Sequence, residues 1–139
     1  MRSELTDTQT TRVETVATAR LNVATSGEGF VDITREAARF LERIGARDGA
    51  LFLFIRHTSA SLVIQENADP DVVADLSDFF TRLVPEDTRL YRHTAEGPDD
   101  MTSHIRSALT STQLSIPIHQ GSLALGTWQG VYLDRKSVV

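Results

Sequence analysis

Apolar and polar positions change their spacing several times along this chain, and each spacing predicts an element. Residues 1–11 are polar and threonine-rich, which reads as a flexible lead-in. Over residues 12–24, Val13, Thr15, Val16, Leu21 and Val23 partly alternate with polar neighbours, the period of a strand. Ser26-Gly27-Glu28-Gly29 is a turn signal. Ala37, Ala38, Phe40, Leu41 and Ile44 then recur at spacings of three and four. They predict an amphipathic helix capped by Asp32 or Thr34 and released at Gly45 and Gly49.

Residues 50–55 (Ala-Leu-Phe-Leu-Phe-Ile) form an unbroken apolar run of strand length. Such a run is normally buried on both faces, which predicts a sheet covered by helices or by another subunit. Residues 61–65 read as a second short strand. Asp69-Pro70 starts a helix, with Asp as cap and Pro in the first turn. Val72, Val73, Leu76, Phe79, Phe80 and Leu83 give that helix a broad apolar stripe, and Pro85 stops it. Residues 89–97 are polar and read as a loop. Asp99 or Asp100 caps a third helix whose inward face is predicted to be Met101, Ile105, Ala108 and Leu109. Leu114, Ile116 and Ile118 alternate, Gln120-Gly121 turns the chain, and residues 123–125 and 129–133 complete the strands. No repeat or linker divides the sequence, so residues 12–139 read as one α+β domain.

Composition excludes several classes of function. There is no cysteine, which removes a disulfide scaffold, an iron–sulfur cluster, a thiolate zinc site and a cysteine nucleophile. The net charge is −5, Lys136 is the only lysine, and the arginines are scattered. No basic stripe marks a nucleic-acid partner or an anionic membrane surface. No apolar stretch approaches the roughly 20 residues that cross a bilayer, and the N-terminus lacks the apolar core of a signal peptide. The expectation is a soluble cytoplasmic protein.

Candidate chemistry concentrates on the histidines. Of the four, His57 closes the apolar strand, His93 lies in the polar loop, and His104 lies on the third helix one turn after Asp100. Three convergent imidazoles would hold a divalent metal and leave a coordination position open, although their spacing by itself is a weak signal and a lone histidine is more often a hydrogen-bonded loop or surface residue. Glu66 and Asn67 precede the helix start at Asp69; a general base, a partner for an imidazole and a solvated group are all open for Glu66. Gly126-Thr127-Trp128-Gln129-Gly130 brackets the only tryptophan with glycines, placing it either beside a bulge in the core or where it stacks on a flat ring or a subunit.

Taken together these segments resemble one family. His57-Thr58-Ser59-Ala60-Ser61-Leu62 and Gln65-Glu66-Asn67-Ala68-Asp69-Pro70 are followed in order by Arg82-Leu83-Val84-Pro85-Glu86 and by Tyr91-x-His93-Thr94. Glu96-Gly97-x-Asp99-Asp100-Met101, His104-Ile105 and the segment from Ile116 to Gly130 complete the pattern. Over residues 13–133 the chain is similar to the YjbQ family, the secondary thiamine-phosphate synthase proteins. The resemblance implies a single-domain α+β fold with a β-sandwich-like core of mixed or antiparallel strands and about three helices. It implies a homotrimer with its sites near subunit contacts.

It further implies His57, His93 and His104 as metal ligands, with zinc as the first choice. Glu66, Asn67, Asp100 and Gln129 would support catalysis, and Trp128, Tyr91 and Arg106 would contact a phosphorylated small-molecule substrate. The implied reaction joins hydroxymethylpyrimidine diphosphate to thiazole phosphate and releases pyrophosphate. A metal-dependent hydrolase and a non-enzymatic trimeric metal-binding module are the alternatives. Three departures from the family pattern stand out: His119 replaces a polar residue and is assigned no role, Arg106 stands where lysine is common, and the C-terminal end is shorter, which predicts a curtailed last strand.

Overall fold

The computed structural model describes residues 3–137. In chain order the elements are β1 (Gly29–Asp32), α1 (Thr34–Ile44), β2 (Gly49–Phe54), β3 (Ala60–Glu66), α2 (Pro70–Leu83), a 3₁₀ turn (Thr88–Leu90), α3 (Asp100–Ala108), β4 (Gln113–His119), β5 (Ser122–Leu123) and β6 (Gln129–Arg135). They form two three-stranded antiparallel sheets, one in the order β1-β6-β3 and the other β2-β4-β5. The α+β expectation holds, with three helices and no parallel pair among the described strands.

The two sheets meet through their apolar faces. Leu62 and Val131 from the first sheet join Ile116 from the second and Ile33 from the entry to α1, all nearly or wholly buried, with Leu53, Leu114 and Leu133 packed around them. Leu41 and Ala37 of α1 fill the rest of this interior against Leu51 of β2. Asp32 Oδ1 accepts from the Thr34 N–H and hydroxyl at 2.9 and 2.6 Å, and Thr34 Oγ1 accepts from the Val131 N–H at 2.8 Å. That chain of bonds fixes the start of α1 to the central strand β6. At Asp69 the expected cap is in place, accepting from the Asp71 N–H at 2.9 Å with Pro70 at the first helical position. The expected turn at Gln120-Gly121 is a two-residue hairpin with positive φ at both positions, 49° and 81°.

Four expectations are corrected. The predicted strand over residues 12–24 does not form; Val13 and Val16 are 84% and 87% exposed. Strand periodicity needs a neighbouring ladder, and this chain offers that segment none. Its end is nonetheless anchored, since Val23 packs on the core and Arg135 donates to Thr25 Oγ1 at 2.6 Å. The apolar run of β2 is buried on one face only: Leu51 is inside, whereas Phe52 and Phe54 are 72% and 68% exposed. No helix among the described residues covers that outer face, because α1 packs on the same inner face that meets the other sheet. The apolar stripe of α2 is similarly shallow, with none of its residues fully buried.

The fourth correction concerns α3. Its buried residues are Thr102, Ser103, Arg106 and Ser107, not the predicted Met101, Ile105, Ala108 and Leu109, and Leu109 is 59% exposed. The helix is docked by directional bonds. Ser103 shares its hydroxyl hydrogen between Asp99 O and Lys136 O at 2.6 and 2.7 Å, Ser107 donates to Ala60 O at 3.0 Å, and Thr102 donates to Pro85 O at 3.3 Å. Arg106 donates to Val84 O and to Glu28 Oε1, both at 2.9 Å. Beside it the buried Lys136 pairs with Asp134 and lies 4.7 Å from the Phe80 ring centre. Neither aspartate at the start of α3 supplies a side-chain cap. Hydrophobic periodicity misassigns this face because short hydroxyl side chains can be buried when each meets a carbonyl.

Truncating such a hydroxyl leaves a buried carbonyl short of a donor, which costs about 1–3 kcal/mol. Ser103→Ala and Ser107→Ala are each expected to lower unfolding free energy by that amount in urea denaturation, while Leu109→Ser changes it by less than about 0.5 kcal/mol. Gly130→Ala is expected to destabilise by about 1–3 kcal/mol. Its added carbon would stand 3.0 Å from the Tyr132 ring and 3.1 Å from Asn67 Cβ.

Candidate metal centre

Two of the three singled-out histidines meet. His104 Nε2 and His93 Nε2 lie 3.1 and 2.6 Å from the same oxygen, Asp100 Oδ2. Asp100 opens α3 and His104 follows one turn later, so helical geometry alone sets those two on one face. His93 comes in from the loop before α3, its ring centre 5.5 Å from that of His104. Ligand atoms of His93, Asp100 and His104 all lie within 4.8 Å of one another. Glu96 Oε2 stands 3.6 Å from His93 Nε2 at the open edge of the cluster.

Thr58 adds a contact that no sequence pattern signals. Its carbonyl accepts from His104 Nδ1 at 3.0 Å. With the proton held on Nδ1, the lone pair of the neutral ring is on Nε2, the atom facing Asp100 and His93. Backbone orientation of a ligating imidazole in this way is a common supporting device for metal sites. A main-chain carbonyl carries no side-chain signature, so only the fold could reveal it; Glu96 was visible, since it stands three residues after His93.

Charge fits this arrangement. The Thr58 carbonyl, assisted by Asp100, holds the His104 imidazole above its usual range against the opposing effect of burial. The hydrogen bond from His93, helped by the charge of His104, holds the Asp100 carboxyl below its usual range. Two imidazole nitrogens and a carboxylate oxygen with the remaining sides open to solvent are a donor set suited to zinc and to other divalent first-row ions.

The other sequence candidates lie elsewhere. His57 is not among the ligand atoms that converge, and its Nδ1 accepts from the Ser59 N–H at 3.0 Å; the group that does converge is two imidazoles and a carboxylate where three imidazoles were expected. Arg106 is interior, 2% exposed and tied to Glu28 and Val84, not presented to a substrate. Tyr91 spends its hydroxyl on Pro85 O at 3.1 Å. Glu66 Oε2 accepts from the Asp69 N–H, Gln129 Oε1 accepts from the Gly126 N–H, and Trp128 is 63% exposed while its carbonyl accepts from the Asn67 N–H. These four residues gather at the far end of β3, about 20 Å of extended strand away from Thr58. His119 is paired with Asp48 at 3.3 Å in a separate place.

An α+β domain of two antiparallel sheets with a His–Asp–His cluster at the start of a polar-docked helix is therefore the class of protein at hand. Residues 19–134 match the family described as UPF0047 protein YjbQ-like, and the chain belongs to that family. A UPF0047 protein of Synechocystis is 55% identical over 81% of this chain and 77% of its own length, and UPF0047 protein YjbQ of Escherichia coli O157:H7 is 42% identical over 85% and 86%. Among solved structures, a conserved hypothetical protein of Thermus thermophilus superimposes with a TM-score of 0.78 at 38% identity, covering 86% of this chain and 90% of that one. None of these names states an activity. No helix among the described residues is long and apolar enough to cross a membrane.

Two outcomes test the cluster. His93→Ala, Asp100→Asn and His104→Ala should each weaken zinc binding by about 100-fold or more in calorimetric titration, whereas His57→Ala should leave it within about threefold. The metal-free chain has its own pH signature. The raised His104 contributes stability that is complete below about pH 6.5 and is lost as pH rises through its folded value; the depressed Asp100 contributes stability present above about pH 3.8 and lost as pH falls through its folded value. The pair should therefore support the fold most between those limits, and in Asp100→Asn the His104 ring, followed by NMR titration, should titrate at a lower pH.

Proposed function

We propose that the His93, Asp100 and His104 side chains hold a divalent metal, zinc first, and that the chain is a metal-dependent enzyme acting on a small phosphorylated substrate. The observation that carries this reading is the convergence of two imidazoles on one carboxylate oxygen, with His104 oriented from behind by the Thr58 carbonyl. When bound, the metal supplies Lewis acidity, neutralising charge on a phosphoryl or pyrophosphoryl oxygen. Thr58 sets the ring of His104, and Glu96 Oε2 stands 3.6 Å from His93 Nε2.

The reaction we assign first is the one the family resemblance implies, formation of thiamine phosphate from hydroxymethylpyrimidine diphosphate and thiazole phosphate. There the C–O bond to pyrophosphate breaks while the thiazole nitrogen bonds to the methylene carbon. We further propose a homotrimer. Support for it is the bare outer face of β2, where Phe52 and Phe54 leave an apolar surface that another copy would cover. Glu66, Asn67, Gln129 and Trp128 enter the reaction only across such a contact, because the length of β3 keeps them from the cluster within one chain. A metal-dependent hydrolase is the second reading, favoured by one observation: Arg106, the cation a departing pyrophosphate would want, is enclosed.

Purified protein with its metal content and particle mass measured should carry one metal per chain and convert the two half-molecules to thiamine phosphate, with Asp100→Asn slower by about 100-fold or more. Stoichiometric metal with no product at high enzyme concentration removes the synthase; release of phosphate from simple phosphoesters under the same conditions, lost in Asp100→Asn, selects the hydrolase.

A further inference from the structure

The outer face of the first sheet carries polar groups that the metal centre does not use. Asp32 of β1 stands directly across from Tyr132 of β6. Their neighbours Val31 and Leu133 pack into the core, so Asp32 and Tyr132 share the face turned away from the other sheet. Tyr132 is 8% exposed, yet its hydroxyl has no hydrogen-bond partner among the described residues. Gly130 makes room for its ring. A carbon added there would stand 3.4 Å from Tyr132 Cζ, the atom that bears the hydroxyl, and 3.1 Å from Asn67 Cβ. The hydroxyl is thus carried at the end of the sheet where β3 gives way to Asn67.

Two carboxylate oxygens at the same end are also unbonded. Asp32 spends Oδ1 on the Thr34 N–H and hydroxyl, which leaves Oδ2. Glu66, the last residue of β3, spends Oε2 on the Asp69 N–H, which leaves Oε1. No arginine, lysine or histidine pairs with either carboxylate among the described residues. Burial first, then the charges of Asp32 and Glu66, holds the Tyr132 phenol above its usual range. It stays neutral, and its oxygen is free to accept an N–H. β1 and β3 flank β6, so the two carboxylates come from strands roughly 10 Å apart. They do not converge on a point as His93, Asp100 and His104 do. Trp128, 63% exposed, is tied to this end by its carbonyl, which accepts from the Asn67 N–H at 3.0 Å. Carboxylates beside an exposed indole are surroundings that favour an organic cation.

We propose that Asp32, Glu66 and Tyr132 form a second binding site, which takes an alkyl diamine: one ammonium on each carboxylate, with the Tyr132 oxygen accepting an N–H. An ammonium carries three donors and no acceptor, which matches unfilled oxygens that have no cation of their own. A diamine also spans partners that stand apart, whereas a metal ion needs them to converge. The site lies at the far end of β3 from the His–Asp–His cluster and does not depend on the metal reading.

The test is calorimetric titration of the full, metal-free chain at neutral pH with butane-1,4-diamine, butylamine and magnesium chloride. The diamine should bind several-fold more tightly than either of the others. Asp32→Asn and Glu66→Gln keep the oxygen that bonds the backbone and remove the charge; Tyr132→Phe keeps the ring and removes the hydroxyl. Each carboxamide should weaken the diamine about tenfold, to the level of butylamine, while zinc binding is unchanged. Tyr132→Phe should weaken the diamine and leave the urea midpoint as it was. In the wild type, the NMR signals of the Tyr132 ring should move on adding the diamine and not on adding butanol. If they stay in place, the inference is overturned whatever the variants do. A diamine held no more tightly than magnesium overturns it too, and marks this end as an acidic surface only.

Discussion

Everything at the candidate centre depends on how α3 is held. A helix docked by an apolar stripe can slide or rotate within a tolerance set by packing, whereas α3 is fixed by hydroxyls and a guanidinium that reach named carbonyls. Ser103 ties it to Lys136 beyond β6, Ser107 to Ala60 at the start of β3, and Arg106 to Val84 and Glu28. Each bond contributes modestly, but each is directional, and leaving any one unmade inside the protein is costly. The result is a helix whose first turn presents Asp100 and His104 at a set position relative to the Thr58 carbonyl.

That arrangement has an electrostatic side. The polar face of α3 abuts a buried network in which Arg106, Glu28, Lys136 and Asp134 balance one another. Burial pushes the Glu28 and Asp134 carboxyls up, and the neighbouring cations pull them back. Such a network is weak evidence for stability in itself, since an apolar replacement can serve as well. Its value here is geometric, because it joins the approach to β1, the end of β6 and α3 in one enclosed set of contacts. At the start of α3, His93 and His104 meet Asp100, with Glu96 3.6 Å from His93.

The chain is thus organised as two ends. One end holds the His–Asp–His cluster and the Thr58 carbonyl. The other holds Glu66, Asn67, Trp128 and Gln129 where β3 meets β6, with side chains spent on caps and turns. β3 runs between them, and a strand is stiff along its length, so within one chain these ends do not cooperate on a single small molecule. Phe52 and Phe54 lie exposed on the outer face of β2.

The sequence by itself determined the local signals whose cause lies within a few residues: the Asp69-Pro70 helix start, the Gln120-Gly121 hairpin, the inner face of β4, and the pairing of Asp100 with His104 one helical turn apart. It also carried enough contiguous motif to identify the family. Only the tertiary structure decided what depends on partners distant in sequence. It left residues 12–24 without a ladder, turned the apolar run of β2 outward on one side, and buried serine, threonine and arginine on α3 in preference to leucine. It also left His57 outside the group of converging ligand atoms, its Nδ1 facing the Ser59 amide, and enclosed Arg106 with Glu28. The physical reason is the same in each case: periodicity reports which residues share a face, but whether that face is covered, and whether a polar group there finds its bond, is settled by elements far along the chain.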